Sequence, residues 1–180
     1  KILNHVTKSE EITELGSLKE ILVYWDHEEV KTLSTLLDEL SPDPTLPKIP
    51  SPIFRDYKWP GIYKPFTHQQ DTAAFLSVRP RAFCFNEAGT GKTSAAVWAA
   101  DYLMNIGAIK RVLVICPLSI MWSAWQTDIF KTAMHRTTAV AYGDSAKRKK
   151  VIDSGYEFVI INYDGVNIVK DDIANGGFDL

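Results

Sequence analysis

The sequence predicts an α/β protein built on a doubly wound, mostly parallel sheet, with a small α/β appendage at its N-terminal end. Three observations carry that expectation. From residue 66 onward, short apolar runs alternate with segments of helical character. One of those runs passes through a glycine-rich turn straight into a helix. Seven of the nine prolines crowd between Pro42 and Pro65 and set the alternating part off from what precedes it.

The elements follow in chain order. "LKEILVYW" at 18–25 reads as a strand, and "EEVKTLSTLLDEL" places Val30, Leu33, Leu37 and Leu40 on one helical stripe. Residues 1–40 therefore form the appendage, too small to be confidently stable alone. Residues 41–65 form a Pro-rich linker, because proline fixes φ and has no N–H to give to a helix or a ladder. The interleaved Ile53, Phe54, Tyr57, Trp59 and Tyr63 imply that this linker is pinned to a surface. Residues 66–180 form the main lobe. A helix starts at Thr67, and the strands are "RAFCF", "RVLVICP", "TTAVAYG" and "EFVIINY", with another beginning at "FDL". Between them "KTSAAVWAADYLMNIG", "SIMWSAWQTDIFKTA" and "SAKRKKVIDSG" are helical. Near-continuous apolar strands suit a sheet covered by helices on both faces.

Composition narrows the classes of function. The chain has 180 residues, 46% hydrophobic and 23% charged, with net charge −2, so it is not basic as a whole. Residues 1–60 hold seven Lys/Arg against eleven Asp/Glu, and the remainder hold thirteen against eleven. A nucleic-acid face would thus be a local patch on the second part. Cys84 and Cys116 lie in apolar runs with no metal-ligand spacing or disulfide framework, as reduced thiols do. No apolar stretch approaches the roughly 20 residues of a membrane span. A cytoplasmic location is expected. The chain opens with Lys1 and not Met, and a natural N-terminus further upstream is one expectation.

The chemistry concentrates in "FNEAGTGKTS", residues 85–94, between a predicted strand and a helix. Gly89 and Gly91 allow the backbone to approach an anion closely. Their N–H groups, with those of Lys92 and Thr93 at the helix start, make an anion nest. Lys92 would reach the β- and γ-phosphates of a nucleotide, and the Thr93 hydroxyl would ligate Mg²⁺. The loop begins at Asn86, where phosphate loops usually have glycine.

That departure is informative. "NEAGTGKT" resembles motif I of superfamily 2 helicases and translocases, especially the Swi/Snf-like branch, where an acidic and then a small residue precede Gly-x-Gly-Lys-Thr. The resemblance covers roughly residues 62–180 and implies a RecA-like first lobe that binds ATP and Mg²⁺. Its ATP contacts would be Glu87, Ala88, Gly89, Thr90, Gly91, Lys92, Thr93 and Ser94, with Lys92 and Thr93 catalytic and Thr93 on the metal. In "KPFTHQQDTAAFL", Thr67 and Gln70 fit a Thr-x-x-Gln capping box, which leaves Gln69 to read the adenine edge as the family's glutamine does. Phe66 would pack beside the base, although a place in the core explains it equally, and His68 is expected to be structural.

Two further segments resemble contact motifs. "RVLVICPLSIMW" resembles motif Ia, which implies that Pro117, Leu118 and Ser119 face a nucleic-acid backbone; Ser119 could equally cap the next helix. "VIINYDGV" resembles the strand whose end lies by the nucleic-acid groove, with Asn162, Tyr163 and Asp164 at the matching positions and Asn162 replacing the usual hydroxyl residue. Trp122, Trp125 and Ile129 have helical spacing and are expected in the core. Lys147, Arg148, Lys149 and Lys150 are expected on a solvated face, with a weak backbone role open to them. "KWPGIY" hints at an extra recognition element, as in some remodelling motors and phage helicases.

The resemblance also implies what these residues would lack. "GGFDL" looks like the start of the family's Asp-Glu strand, so residues 1–180 would omit the catalytic acids and a second RecA-like lobe with its arginine finger. Such a lobe would bind ATP weakly and not turn it over. DNA is the expected partner, with RNA the alternative. Two rival readings stand beside it: a self-contained P-loop kinase or GTPase using Asp164 for Mg²⁺, and a non-enzymatic DNA-binding module.

Overall fold

The computed structural model describes residues 8–15, 18–40 and 50–180. They divide into two compact units. One runs up to Tyr57 and includes Ala74–Ala82; the other comprises Lys58–Ala73 and Phe83–Leu180.

In the first unit, β1 (Lys8–Leu15) pairs antiparallel with β2 (Leu18–Tyr24), from Lys8 opposite Tyr24 to Leu15 opposite Leu18, with an irregularity between Glu11 and Thr13. β1 was not expected, since "KSEEITEL" has the charge of a helix or loop and gains strand character only by pairing. Helix α1 (His27–Leu40) starts on a reciprocal cap: Glu29 N–H donates to Asp26 Oδ1 at 3.0 Å, and Asp26 N–H to Glu29 Oε2 at 2.9 Å. Val30 and Leu33 of the expected stripe are buried; the side chains of Leu37 and Leu40 lie outside the described residues. Much of the Pro-rich run, 41–49, does too. Past it, "IFRD" makes one helical turn, α2 (Ile53–Asp56), which the proline count had argued against; Pro52 sits at its N-cap, where no N–H is required. Ile53 and Tyr57 are buried, and Ser51 and Ser77 share a buried hydroxyl contact at 3.0 Å.

The division between the units falls within α3 (Thr67–Ser77). The second unit continues with α4 (Lys92–Asn105), β3 (Val112–Cys116), a 3-10 turn (Leu118–Ile120) and a π-helix (Met121–Gln126) that runs into α5 (Thr127–Thr132). Then come β4 (Thr138–Ala141), α6 (Ser145–Asp153), β5 (Phe158–Asn162), α7 (Tyr163–Ile168) and α8 (Lys170–Asn175). The three strands form a parallel sheet in the order β3-β5-β4. β5 lies in the middle and is buried throughout, as its unbroken "FVIIN" requires.

Alternate residues of the sheet feed two cores. Val112, Val114, Cys116, Phe158 and Ile160 pack with Val97, Ala100 and Met104 of α4 and with Met121 and Ile129. Val159, Ile161 and Ala141 pack with Ile152 of α6 and with Val169. Helices on both faces make this the doubly wound α/β architecture that the alternating pattern predicts.

One departure concerns a single segment. "RAFCF" is not a strand: residues 82–87 have no regular structure, and Phe83 and Phe85, stacked at 5.7 Å, are 82% and 88% exposed. A strand exists by pairing, and no ladder among the described residues reaches this segment. "FDL" meets the open edge of β3, where Leu180 N–H donates to Arg111 O at 3.3 Å and Leu113 N–H to Leu180 O at 2.7 Å, the slanted pattern of a parallel pair. "KWPGIY" is docked within its own unit. Trp98 Nε1 donates to Pro60 O at 2.9 Å, Trp59 meets Trp98 edge-on, and Ile62 N–H donates to Lys131 O at 2.9 Å.

Candidate nucleotide site and strand-end face

The orientation of α4 places the loop. Its later residues Asp101 and Asn105 bond His135 and Arg136, which precede β4, so they lie at the N-terminal ends of the strands. A helix of this length spans about 20 Å, which carries its first turn and the 86–94 loop toward the C-terminal edge. Ligands of open α/β sheets bind at that edge.

Within the loop, Gly89 has φ +79° and Gly91 φ +76°, the left-handed conformation that glycine adopts without penalty. Gly91 is the N-cap of α4 and has no side chain to cap it. Among the described residues, the N–H groups of Gly89, Gly91, Lys92 and Thr93 donate to no backbone carbonyl. These donors, at the positive end of a 14-residue helix, are the features of an anion-binding turn. Lys92 folds back over the loop, its Nζ donating to Asn86 O at 2.8 Å and Glu87 O at 2.7 Å. The ammonium is thereby held within the turn, where it can exchange two carbonyls for phosphate oxygens. Thr90 Oγ1 closes the crown onto Glu87 O at 2.8 Å.

Asn86 now has a physical account. Its Nδ2 donates to Thr72 Oγ1 at 2.8 Å, and Thr72 Oγ1 donates to His68 O at 2.7 Å. The side chain is turned onto α3, and the carbonyl is left to receive Lys92. A residue with a hydrogen-bonding side chain thus does here what glycine could not.

The glutamine pair behaves differently from expectation. Helix α3 begins at Thr67, so Phe66 is the capping position and Gln69, not Gln70, stands third in the helix. Phe66 N–H donates to Gln69 Oε1 at 3.0 Å, and Gln69 Nε2 donates to Thr90 O at 3.1 Å. The capping task assigned to Gln70 falls to Gln69, whose amide also braces the glycine turn at Thr90. His68 Nε2 lies 3.1 Å from the same Thr90 carbonyl. Phe66 is exposed and stacks on His68 at 5.7 Å with an 11° tilt. This places it outside the core, as a flat apolar surface beside the loop. Ser94 and Thr93 are half-buried on the first turn of α4.

The three parallel strands end at one edge. After β3, Pro117, Leu118 and Ser119 are all exposed. The 3-10 turn starts at Leu118 with no side-chain cap, so Ser119 lies inside the turn and does not cap it. After β5, Tyr163 is exposed, whereas Asn162 is 6% exposed with its Oδ1 accepting from Arg148 NH1 at 3.0 Å. The tripeptide therefore divides: Tyr163 and Asp164 face outward, and the Asn162 amide faces inward. Trp122 also departs from expectation. In the π-helix the wider turn takes it out of register with Trp125 and Ile129, leaving it 42% exposed and edge-on to Tyr142 at 5.2 Å. Arg148, expected on a solvated face, is buried. Its period-3.6 position on α6 gave no warning of this. The signal was the short loop back to β4, which puts residue 148 over the sheet edge.

No helix among the described residues is long and apolar enough to cross a membrane, and no cluster of three metal-ligating side chains occurs among them.

Such an open parallel sheet flanked by helices, with a glycine turn opening α4, is an α/β fold of the kind found in RecA-like ATPase lobes. The solved structure "Sulfolobus solfataricus SWI2/SNF2 ATPase core in complex with dsDNA" shares this fold, with a TM-score of 0.51 and 22% sequence identity over 59% of this chain. The similarity spans 23% of that neighbour's chain. No family profile and no curated protein matches the sequence.

Proposed function

We propose that residues 66–180 are the ATP-binding lobe of a motor that couples ATP hydrolysis to movement on DNA, with RNA as the alternative track. The observation that carries this reading is the left-handed turn Gly89–Gly91 at the head of α4 with the Lys92 ammonium drawn into it. The fold shared with an ATPase core that was solved on duplex DNA supports it. Residues 1–40 and the linker 41–65 would be accessory to the lobe, and a cytoplasmic location goes with the reading.

On this reading the loop amides and Lys92 receive the β- and γ-phosphates, and the Thr93 hydroxyl holds Mg²⁺, which neutralises phosphate charge when bound. The Phe66–His68 stack gives the base an apolar face. Gln69 holds Phe66 N–H and Thr90 O together, and so couples the base side of the site to its phosphate side. Positioning and electrostatics make up most of phosphoryl-transfer catalysis, and this lobe supplies only part of them. The acidic pair, the arginine finger and the second lobe would belong to a longer natural protein, which opens and closes around the nucleotide.

A thermal-shift titration with Mg·ATP tests the reading. ATP at about ten times its Kd stabilises the fold by about 1.4 kcal/mol, and Lys92→Ala abolishes the response. A shift with GTP larger than with ATP favours the kinase or GTPase rival. No shift with either nucleotide at millimolar concentration leaves a nucleotide-blind module and ends the motor reading.

A further inference from the structure

The basic run on α6 is not uniform. Lys147 pairs with Asp144 at 3.7 Å and Lys149 with Asp153 at 3.3 Å and Asp172 at 2.5 Å, all at the surface. Arg148 is 5% exposed and points under the strand ends. Its Nε donates to Gly143 O at 2.8 Å, and its NH1 donates to Ala141 O at 2.7 Å and to Asn162 Oδ1 at 3.0 Å. The guanidinium carbon lies 5.6 Å from the Tyr142 ring centre. Gly165 closes the far side: a Cβ there would stand 2.1 Å from Arg148 NH1 and 2.8 Å from Asn162 Oδ1.

Among the described residues these partners are carbonyl and amide oxygens, with no carboxylate. Burying a cation on neutral acceptors costs several kcal/mol of desolvation that such bonds repay only in part. A stabilising role alone accounts poorly for it. What the guanidinium does supply is geometry, because its rigid planar fork can span acceptors from different elements, which an ammonium cannot do. The acceptors here are the last residue of β4, the turn after it, and the last residue of β5. The side chains that this arrangement presents are Tyr142, edge-on to Trp122, and Tyr163, both at least half exposed.

We propose that Arg148 is a positioning residue for a nucleic-acid face at the strand ends, locking the turn after β4 to the end of β5 so that Tyr142 and Tyr163 are held at one edge without itself meeting a phosphate. This rests on the reading of the lobe as a DNA-binding one. Aromatic side chains at such a face make contacts that tolerate any sequence, as a motor requires.

Salt dependence separates positioning from contact. A fluorescein-labelled DNA duplex is titrated with the 180-residue chain by anisotropy at several salt concentrations between about 50 and 200 mM. Arg148→Lys and Asn162→Ala, which open the latch from opposite sides, each weaken binding about tenfold, equivalent to about 1.4 kcal/mol, and leave the slope of log K against log[salt] unchanged. Tyr142→Ala weakens binding as much, and adding Arg148→Lys to it brings less than a further tenfold loss, because only the hold on Tyr163 remains to be lost. Arg148→Gln also removes the charge: an unchanged slope supports positioning, whereas a slope smaller by about 0.9, with Asn162→Ala binding like the wild type, makes Arg148 a phosphate contact and overturns the proposal. So does unchanged affinity in both latch variants. If circular dichroism shows that neither latch variant folds, the exposed Tyr142→Ala decides: a tenfold loss supports the proposal and none overturns it. A wild-type chain with no duplex affinity fails before any variant is compared, and takes the DNA-binding reading and this inference together.

Discussion

Gly89 and Gly91 share a backbone conformation but not an environment, and replacing each by alanine separates two physical effects. At both positions φ is near +80°, where an L side chain costs about 1–2 kcal/mol. At Gly89 nothing lies within 4 Å of an added Cβ, so backbone strain is the whole penalty. At Gly91 the added Cβ would stand 2.1 Å from Gln69 Nε2, which must leave Thr90 O. Losing that bond adds about 1 kcal/mol, for a total of about 2–3 kcal/mol. In a protein of this size each kcal/mol lowers Tm by about 2–4 °C, so Gly91→Ala should melt several degrees below Gly89→Ala. The assay is paired thermal unfolding in the absence of nucleotide, repeated in a Gln69→Ala background. There the extra penalty of Gly91→Ala disappears, because the colliding atom is gone and the two substitutions are no longer additive. Equal melting of the two alanine variants, or an undiminished gap without Gln69, would refute the bracing of the loop by that amide.

Three further outcomes follow from the structure. Asp101 is fully buried and holds His135 Nε2 at 2.9 Å and Arg136 Nε at 2.5 Å. Asp101→Ala removes the acceptor these two side chains share and leaves Arg136 with Glu157 as its carboxylate partner, so it should cost about 1.5–3 kcal/mol in denaturant melts. Burial pushes the Glu157 carboxyl up, but the Thr137 N–H and the Arg136 guanidinium outweigh it and hold the carboxyl below its ordinary value of 4.5. Its contribution is fully present above that value and is lost as pH falls through the depressed one. Stability measured from neutral pH down past pH 4 should thus fall less steeply in Glu157→Gln than in the wild type. Thr72→Val removes the acceptor of Asn86 Nδ2 and the donor to His68 O, and should lower stability by about 1–2 kcal/mol. It should also weaken any ATP-induced thermal shift, and an unaltered shift would separate Asn86 from the loop's function.

The sequence by itself determined the alternation of strands and helices in the second unit, the burial of "FVIIN", and the turn-then-helix at Gly89–Lys92. Each of these is local: apolar period, glycine placement and helix start are set by neighbours along the chain. Tertiary structure decided the rest. "RAFCF" has the apolar content of a strand but no ladder to join. "KSEEITEL" has little intrinsic preference for a strand but is one because β2 lies beside it. Gln69 and Gln70 differ by one residue in the register of α3, which settles which amide reaches Thr90. Arg148 looks like its lysine neighbours until the fold places Ala141, Gly143 and Asn162 around it. Hydrogen bonds between distant segments choose among residues that the sequence leaves equivalent, because a donor's value depends on which acceptors the fold brings within reach.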